Sequence, residues 1–276
     1  MGTDKRNRQK QNRAAAREAR ARQQRRNKVR SRSVRWGGIA AALVIGLFAV
    51  AQFDSGSSSS SDTTAVATDS TAPADSTTLT TLPGEKITGN TPCPKTDGTE
   101  KRVTSFEKAP SMCIDAAKTY KAIFDTSEGT IVVDLDTKNT PNTVNNFVTL
   151  SRYKYYDGSY VFRTDPSIDI IQGGGASNTD DPGYSIKDEG NGYKYKEGDL
   201  VMARTSAPDS GGGQWFFVTG PKASLLDSQG TYVTFGKVSK GLNVVKGIIS
   251  LNSGSGDLGG APSKPVQIKT VTITEG

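Results

Sequence analysis

Histidine is missing from all 276 residues. That excludes the Ser-His-Asp and Cys-His catalytic arrangements and any histidine-ligated zinc. Cysteine is scarce too. Cys93 and Cys113 are the whole supply, too few for a four-cysteine zinc site. No metal site is expected, and no cofactor. The two cysteines pair naturally as one disulfide, with two free buried thiols as the alternative.

What is present is unevenly distributed. Residues 1–35 hold 14 of the 35 Lys+Arg and 2 of the 28 Asp+Glu, leaving 21 basic against 26 acidic residues, a net of −5, in the remainder. The basic character therefore belongs to the tail. Such a tail can bind nucleic acid, but the next segment argues otherwise. Residues 36–53 (WGGIAAALVIGLFAVAQF) are uncharged over 18 residues, about the minimum for a membrane-spanning helix. With the cations on its N-terminal side, the positive-inside rule predicts a cytoplasmic N-terminus and export of everything after Phe53. An uncleaved anchor is the reading adopted. A cleaved signal peptide is the rival, because Ala49-Val50-Ala51 fits a small-x-small site, although 35 preceding residues is long for one. The tail then sets topology and contacts anionic lipid; nucleic acid is not an expected partner.

Residues 54–92, rich in Ser, Thr, Asp and Ala, are expected to be a disordered linker spanning about 35 Å on average. Residues 93–119 are expected to form a disulfide-containing extension, either a mini-subdomain or a strap, ahead of a domain at 120–276. From Tyr120 the pattern alternates. Ala122 and Phe124, a turn at Ser127-Glu128-Gly129, then Ile131, Val133 and Leu135 predict a hairpin. Thr140-Pro141 reads as a helix start, with Val144, Phe147 and Val148 on one face. Short apolar runs follow at 160–162, 170–171, 200–202, 215–218 and 232–238. Leu242, Val245, Ile248 and Ile249 predict a second helix. The last strand, Val266 to Ile273, changes phase near Lys269-Thr270, which predicts a bulge. Many short strands and two separated helices predict an all-β barrel closed by helices.

Two glycine-flanked glutamines, Gln172-Gly173-Gly174 and Gly211-Gly212-Gly213-Gln214-Trp215-Phe216, suggest a groove for backbone amides beside an aromatic wall, with Arg163 just ahead. These pieces belong to an ordered set: Thr140–Phe147, Tyr156-Asp157-Gly158, Phe162-Arg163, Ile171–Gly174, Leu200–Ala203, Gln214–Phe216, Leu226-Asp227 and Val233–Val238. From about Tyr120 to Leu251 the chain resembles the cyclophilin-type peptidyl-prolyl isomerases. The resemblance implies a closed eight-stranded antiparallel barrel capped by two helices. It also implies isomerisation of X–Pro bonds in proline-containing polypeptides, with no cofactor.

By resemblance the catalytic arginine is Arg163. Counting forward from Tyr156-Asp157-Gly158 reaches Arg163, whereas counting back from Gln172 reaches Thr164. Arg163 is adopted, with a one-residue insertion in the loop up to Asp169. Gln172 would hold a substrate carbonyl, and Ala203 and Arg204 would present main-chain groups. Phe216 and Leu226 would form the proline pocket, with Ile170 in the place of a common methionine. For the pocket phenylalanine, Ile168 is the candidate and Asp169 the direct count-back. Ile168 and Ile170 could equally be barrel core, and Gln214 either a substrate ligand or a structural amide. Leu225 replaces a tryptophan whose indole contacts cyclosporin, so weaker binding of that drug is expected. Tyr232 replaces a common histidine and could still hydrogen-bond substrate. Arg204–Gly213 is one residue longer than usual, so Asp209–Gly213 is expected to be mobile.

The function expected is that of a membrane-anchored, monomeric folding catalyst acting on exported proteins. The alternatives are a weakly catalytic or non-catalytic proline-peptide-binding module or chaperone at the cell surface, and an envelope scaffold.

Overall fold

The computed structural model describes residues 81–254 and 259–276. The basic tail, the uncharged segment 36–53 and most of the expected linker lie outside them. Among the described residues, no helix is long and apolar enough to cross a membrane.

Alternation drives the barrel. Strands β3 (Tyr120–Thr126) and β4 (Gly129–Leu135) bury every second side chain. Thr126 closes their turn: its hydroxyl donates to Gly129 O and accepts from Glu128 N. Helix α1 (Pro141–Arg152) follows, with Val144, Phe147 and Val148 fully buried as its periodicity predicts. Then come β5 (Ser159–Asp165), β6 (Ile170–Gly175), β7 (Asp199–Met202), β8 (Trp215–Val218), a 3-10 turn (Pro221–Leu226), β9 (Thr234–Lys240), α2 (Leu242–Ile249) and β10 (Val266–Glu275). The eight strands from β3 to β10 close in the order β10-β3-β4-β9-β7-β8-β6-β5, all neighbours antiparallel. Strand β10 pairs with β5 through Val266–Ile268 and with β3 through most of its length. The register slips between Ile268 and Thr270, where the sequence phase predicts a bulge.

The interior is aromatic. Phe124 meets Trp215 and Phe217 edge-on at 5.3 and 5.4 Å, and Phe147 stacks on Tyr156 at 5.1 Å. Such pairs add about 0.5–1.5 kcal/mol each beyond the burial of their area.

Order begins earlier than composition suggests. Strand β1 (Glu85–Ile87), inside the span expected to be linker, pairs in parallel with β2 (Val103–Phe106). A few tertiary anchors offset the polar composition. Phe106 is buried against the rings of Tyr153 and Tyr184. Arg102 donates to the carbonyls of Leu82, Lys154, Tyr155 and Asp157. The Tyr153 hydroxyl donates to Pro92 O, and Asn145 on α1 bonds Cys113 N and Ser111 O. The extension is thus a strap packed on α1 and the loop behind it. Cys93 and Cys113, 20 residues apart, form a disulfide within it. In the chain-entropy account, closing that loop stabilises by about 3 kcal/mol. The Cys93→Ala/Cys113→Ala variant should therefore lose about that much unfolding free energy, read as an earlier urea midpoint, and an unchanged midpoint would discount the cross-link as a stabiliser.

Candidate active site

Three neighbouring strands lay the site out. Arg163 on β5 lies opposite Gln172 on β6, and Gln172 lies opposite Phe216 on β8. Trp215 and Phe217 belong to the barrel core. Phe216, between them, points to the other face of the sheet, as a strand's two-residue period requires. The same rule separates Arg163 from Thr164. Thr164 is fully buried and bonds Asn252 and Gly260, while Arg163 falls on the face of Gln172. Register slips between Tyr160 and Arg163 help set this phase.

The two glycine runs touch. Gly174 has φ +107°, and a Cβ there would sit 2.6 Å from Gly213 O. A Cβ on Gly173 would sit 2.8 Å from the Trp215 ring. Neither position accommodates a side chain without displacing the wall, which explains the glycines beside Gln172.

A continuous polar relay crosses the sheet. Arg163 Nη1 donates to Gln172 Oε1 at 2.9 Å, and Arg163 Nη2 to Asp165 Oδ2 at 2.6 Å. Gln172 Nε2 donates to Gln214 Oε1 at 2.9 Å, and Gln214 Nε2 to the carbonyls of Asn178 and Asp180. Each amide is oriented by its neighbour, so the second N–H of Gln172 has a defined direction. Gln214 takes the structural option: it satisfies two loop carbonyls and buttresses Gln172. The Arg163 side chain is 15% exposed and that of Asp165 2%. The guanidinium therefore acts in a largely water-excluded place, where its charge is felt more strongly than in water.

An aromatic wall adjoins the relay. The Tyr232 ring meets Phe216 at 5.7 Å, edge to face, and Tyr195 lies 6.4 Å from Phe216. The Tyr195 hydroxyl accepts from Tyr232 N and donates to Tyr232 O, locking that segment. Burial raises the pKa of the Tyr232 phenol, while Arg204 and Arg163 pull it back. It stays a neutral donor at physiological pH. The Arg204 guanidinium lies 5.7 Å over the Tyr232 ring and donates to Thr231 O and Ala207 O. Ile170 and Leu226 are buried. Neither joins the main packed cluster, although Ile170 is as buried as the barrel core.

Two expectations need correction, a wall at Asp169 and a mobile 209–213 loop. Asp169 is not a pocket wall. It adopts φ +50° and turns toward the 3-10 segment, where Lys222 N donates to its Oδ2 and Thr219 N to its carbonyl. A carboxylate gains more from those donors than from an apolar slot. Ile168 sits half-buried in the β5–β6 turn. Leu225 is 54% exposed, unlike its neighbour Leu226. The Ala203 N–H is committed to Gln214 O, leaving the carbonyl as what this residue can offer. Residues 209–213 are tied down rather than loose. Asp209 and Asp188 exchange hydrogen bonds, Ile186 N donates to Gly211 O, and Asn146 donates to Gly212 O. Asp165 and Tyr195 were missed. Asp165 had a readable signal, its i, i+2 spacing from Arg163 on a strand; Tyr195, in a charged loop, had none.

Comparison with known proteins agrees with this fold. Residues 121–273 match the family model described as cyclophilin type peptidyl-prolyl cis-trans isomerase/CLD. Peptidyl-prolyl cis-trans isomerase A of Dickeya dadantii is 33% identical over 168 residues, covering 57% of this chain and 86% of the relative. Peptidyl-prolyl cis-trans isomerase B of Bacillus subtilis is 36% identical over 132 residues, covering 46% and 85%. A crystal structure of a Cryptosporidium parvum cyclophilin type peptidyl-prolyl cis-trans isomerase aligns with a TM-score of 0.50 at 25% identity, covering 56% of this chain and 98% of that one. With a barrel closed in this order, a site built from these strands and a family match across more than half its length, the chain belongs to the cyclophilin-type peptidyl-prolyl cis-trans isomerases.

Proposed function

We propose that Arg163 drives isomerisation of X–Pro bonds by stabilising the twisted imide, and that the clients are exported polypeptides. Resonance gives an amide a rotational barrier of about 18–20 kcal/mol. X–Pro bonds consequently exchange over roughly tens to hundreds of seconds. As the bond twists, the prolyl nitrogen becomes pyramidal and its lone pair becomes an acceptor. A guanidinium donating to that nitrogen stabilises the twisted state more than either planar one, the condition for catalysis. About 5–7 kcal/mol of such differential stabilisation gives four to five decades of rate. Gln172 holds a substrate carbonyl through its second N–H, and Phe216, Leu226, Ile170 and Tyr232 seat the proline ring. The observation that carries this reading is the largely buried Arg163 guanidinium, bonded to Gln172 on the strand between it and Phe216. In the test, the protein accelerates cis-to-trans conversion of a proline tetrapeptide and Arg163→Ala loses most of that acceleration. Equal rates for the two would refute the arginine role.

Export and membrane attachment rest on the uncharged run 36–53 behind a basic tail, and a disulfide in the domain suits an oxidising compartment. Protease added to intact cells should then remove the domain. Protection until the membrane is breached would place it on the cytoplasmic side.

The exposed Leu225 supports the expected weakness toward cyclosporin. Leu225→Trp should tighten the drug by about tenfold, the value of one added hydrogen bond of roughly 1–1.5 kcal/mol. An unchanged titration would mean the indole has no partner here.

A further inference from the structure

Arg163 does not hold its pose unaided. Two residues further along β5, on the same face, Asp165 brings a carboxylate with a 2% exposed side chain to 2.6 Å from Nη2. Its two oxygens are divided. Oδ1 accepts from Ser167 N at 3.0 Å and from Ser167 Oγ at 2.5 Å, closing the turn; Oδ2 takes the guanidinium. Gln172 grips the other terminal nitrogen. A planar guanidinium held at both Nη atoms cannot rotate about its Nε–Cζ bond without breaking a charge-assisted contact. Asp165 is itself fixed in depth, since a Cβ on Gly259 would lie 2.9 Å from the Asp165 Cβ.

We propose that Asp165 is a positioning residue for Arg163, setting the plane in which the guanidinium meets the prolyl nitrogen. The inference rests on the arginine reading above and adds a second group to it. The carboxylate touches no substrate; it works by holding the donor. Catalysis by a positioned group is sensitive to small errors, with a displacement of ~1 Å costing up to roughly a hundredfold. Gln172 still restrains Nη1, so part of that loss is expected.

Asp165→Asn in the full chain separates the two oxygens. An amide oxygen can keep the Ser167 contacts while its NH2 group faces Nη2, where it cannot accept. The expected result is a fall in kcat/KM of about tenfold, with a proline peptide bound within twofold of wild type. The 15N signals of the Arg163 Nη atoms, distinct while rotation is hindered, should merge. A purely structural role would leave those signals distinct or weaken peptide binding in step with turnover, and either result overturns the proposal. So does turnover that is unchanged or raised. If Asp165→Asn does not fold, Asp165→Ser is read by the same three measurements. Full activity in Asp165→Asn beside an inactive Arg163→Ala would remove this inference and leave the arginine reading standing. An active Arg163→Ala would remove both.

Discussion

Arg163→Ala should lower kcat/KM for a proline peptide by about a thousandfold, close to 4 kcal/mol of lost transition-state stabilisation. A donor that serves the twisted nitrogen and not the planar one is lost from the rate and barely from affinity. Peptide binding, monitored by chemical shifts at Phe216 and Tyr232, should stay within about fivefold, roughly 1 kcal/mol. A complication follows from Asp165. Removing the guanidinium strands a buried carboxylate, which costs about 3–5 kcal/mol when one partner of a buried pair is deleted. The variant must therefore be assayed below its melting range, and beside Arg163→Ala/Asp165→Asn, in which no charge is stranded. Both should be inactive. If the double variant regains turnover, the single variant's failure was one of folding, and the cationic mechanism is wrong.

Glu189→Ala should cost about 2–3 kcal/mol of stability, the sum of a lost N-cap and its charge-assisted bonds. Helix α1 brings no side-chain cap of its own and no acid in its first turn. Glu189, 46 residues downstream of Thr143, supplies both. One oxygen accepts from the N–H and side-chain amide of Asn142, the other from the N–H and hydroxyl of Thr143. The carboxylate also opposes the positive end of the helix dipole. At roughly 2–4 °C per kcal/mol for a domain this size, the melting temperature should drop by about 4–12 °C. Glu189→Gln should lose less, because it keeps acceptors and loses only charge. A melt unchanged to within a degree for Glu189→Ala would show that water caps the helix equally well.

Glu189 also shows where sequence reading stops. Strands β3 and β4 were legible because burial alternates every two residues and a turn interrupts it, whereas β6, β7 and β8, buried throughout, showed only as short apolar runs. Helix α1 was legible from Pro141 and the Val144–Phe147–Val148 face. Even the slip at Lys269-Thr270 was legible, since a bulge must shift the phase of every residue after it. None of these needs a distant partner. The cap on α1, the strap's grip through Arg102 and the reversal of Asp169 all depend on residues far away in sequence, and local pattern contains no trace of them. The same holds at the site. Arg163, Gln172 and Phe216 were found through an ordered set of motifs, but which donor faces which acceptor depends on strand register. Strand β1 looked like linker because Ile87 is a lone apolar residue in a polar stretch, too little for a periodic signal, and its order comes from pairing with β2.

The grip on Leu82 fixes where the chain enters the barrel. Leu82 rests against Gly158, immediately before β5, and its carbonyl is fastened by Arg102. Arg163 lies five residues along the same strand, about 17 Å away at 3.4 Å per residue. The chain therefore enters the barrel well short of the Arg163 face, and a peptide laid across Gln172 and Phe216 would not have to displace Leu82.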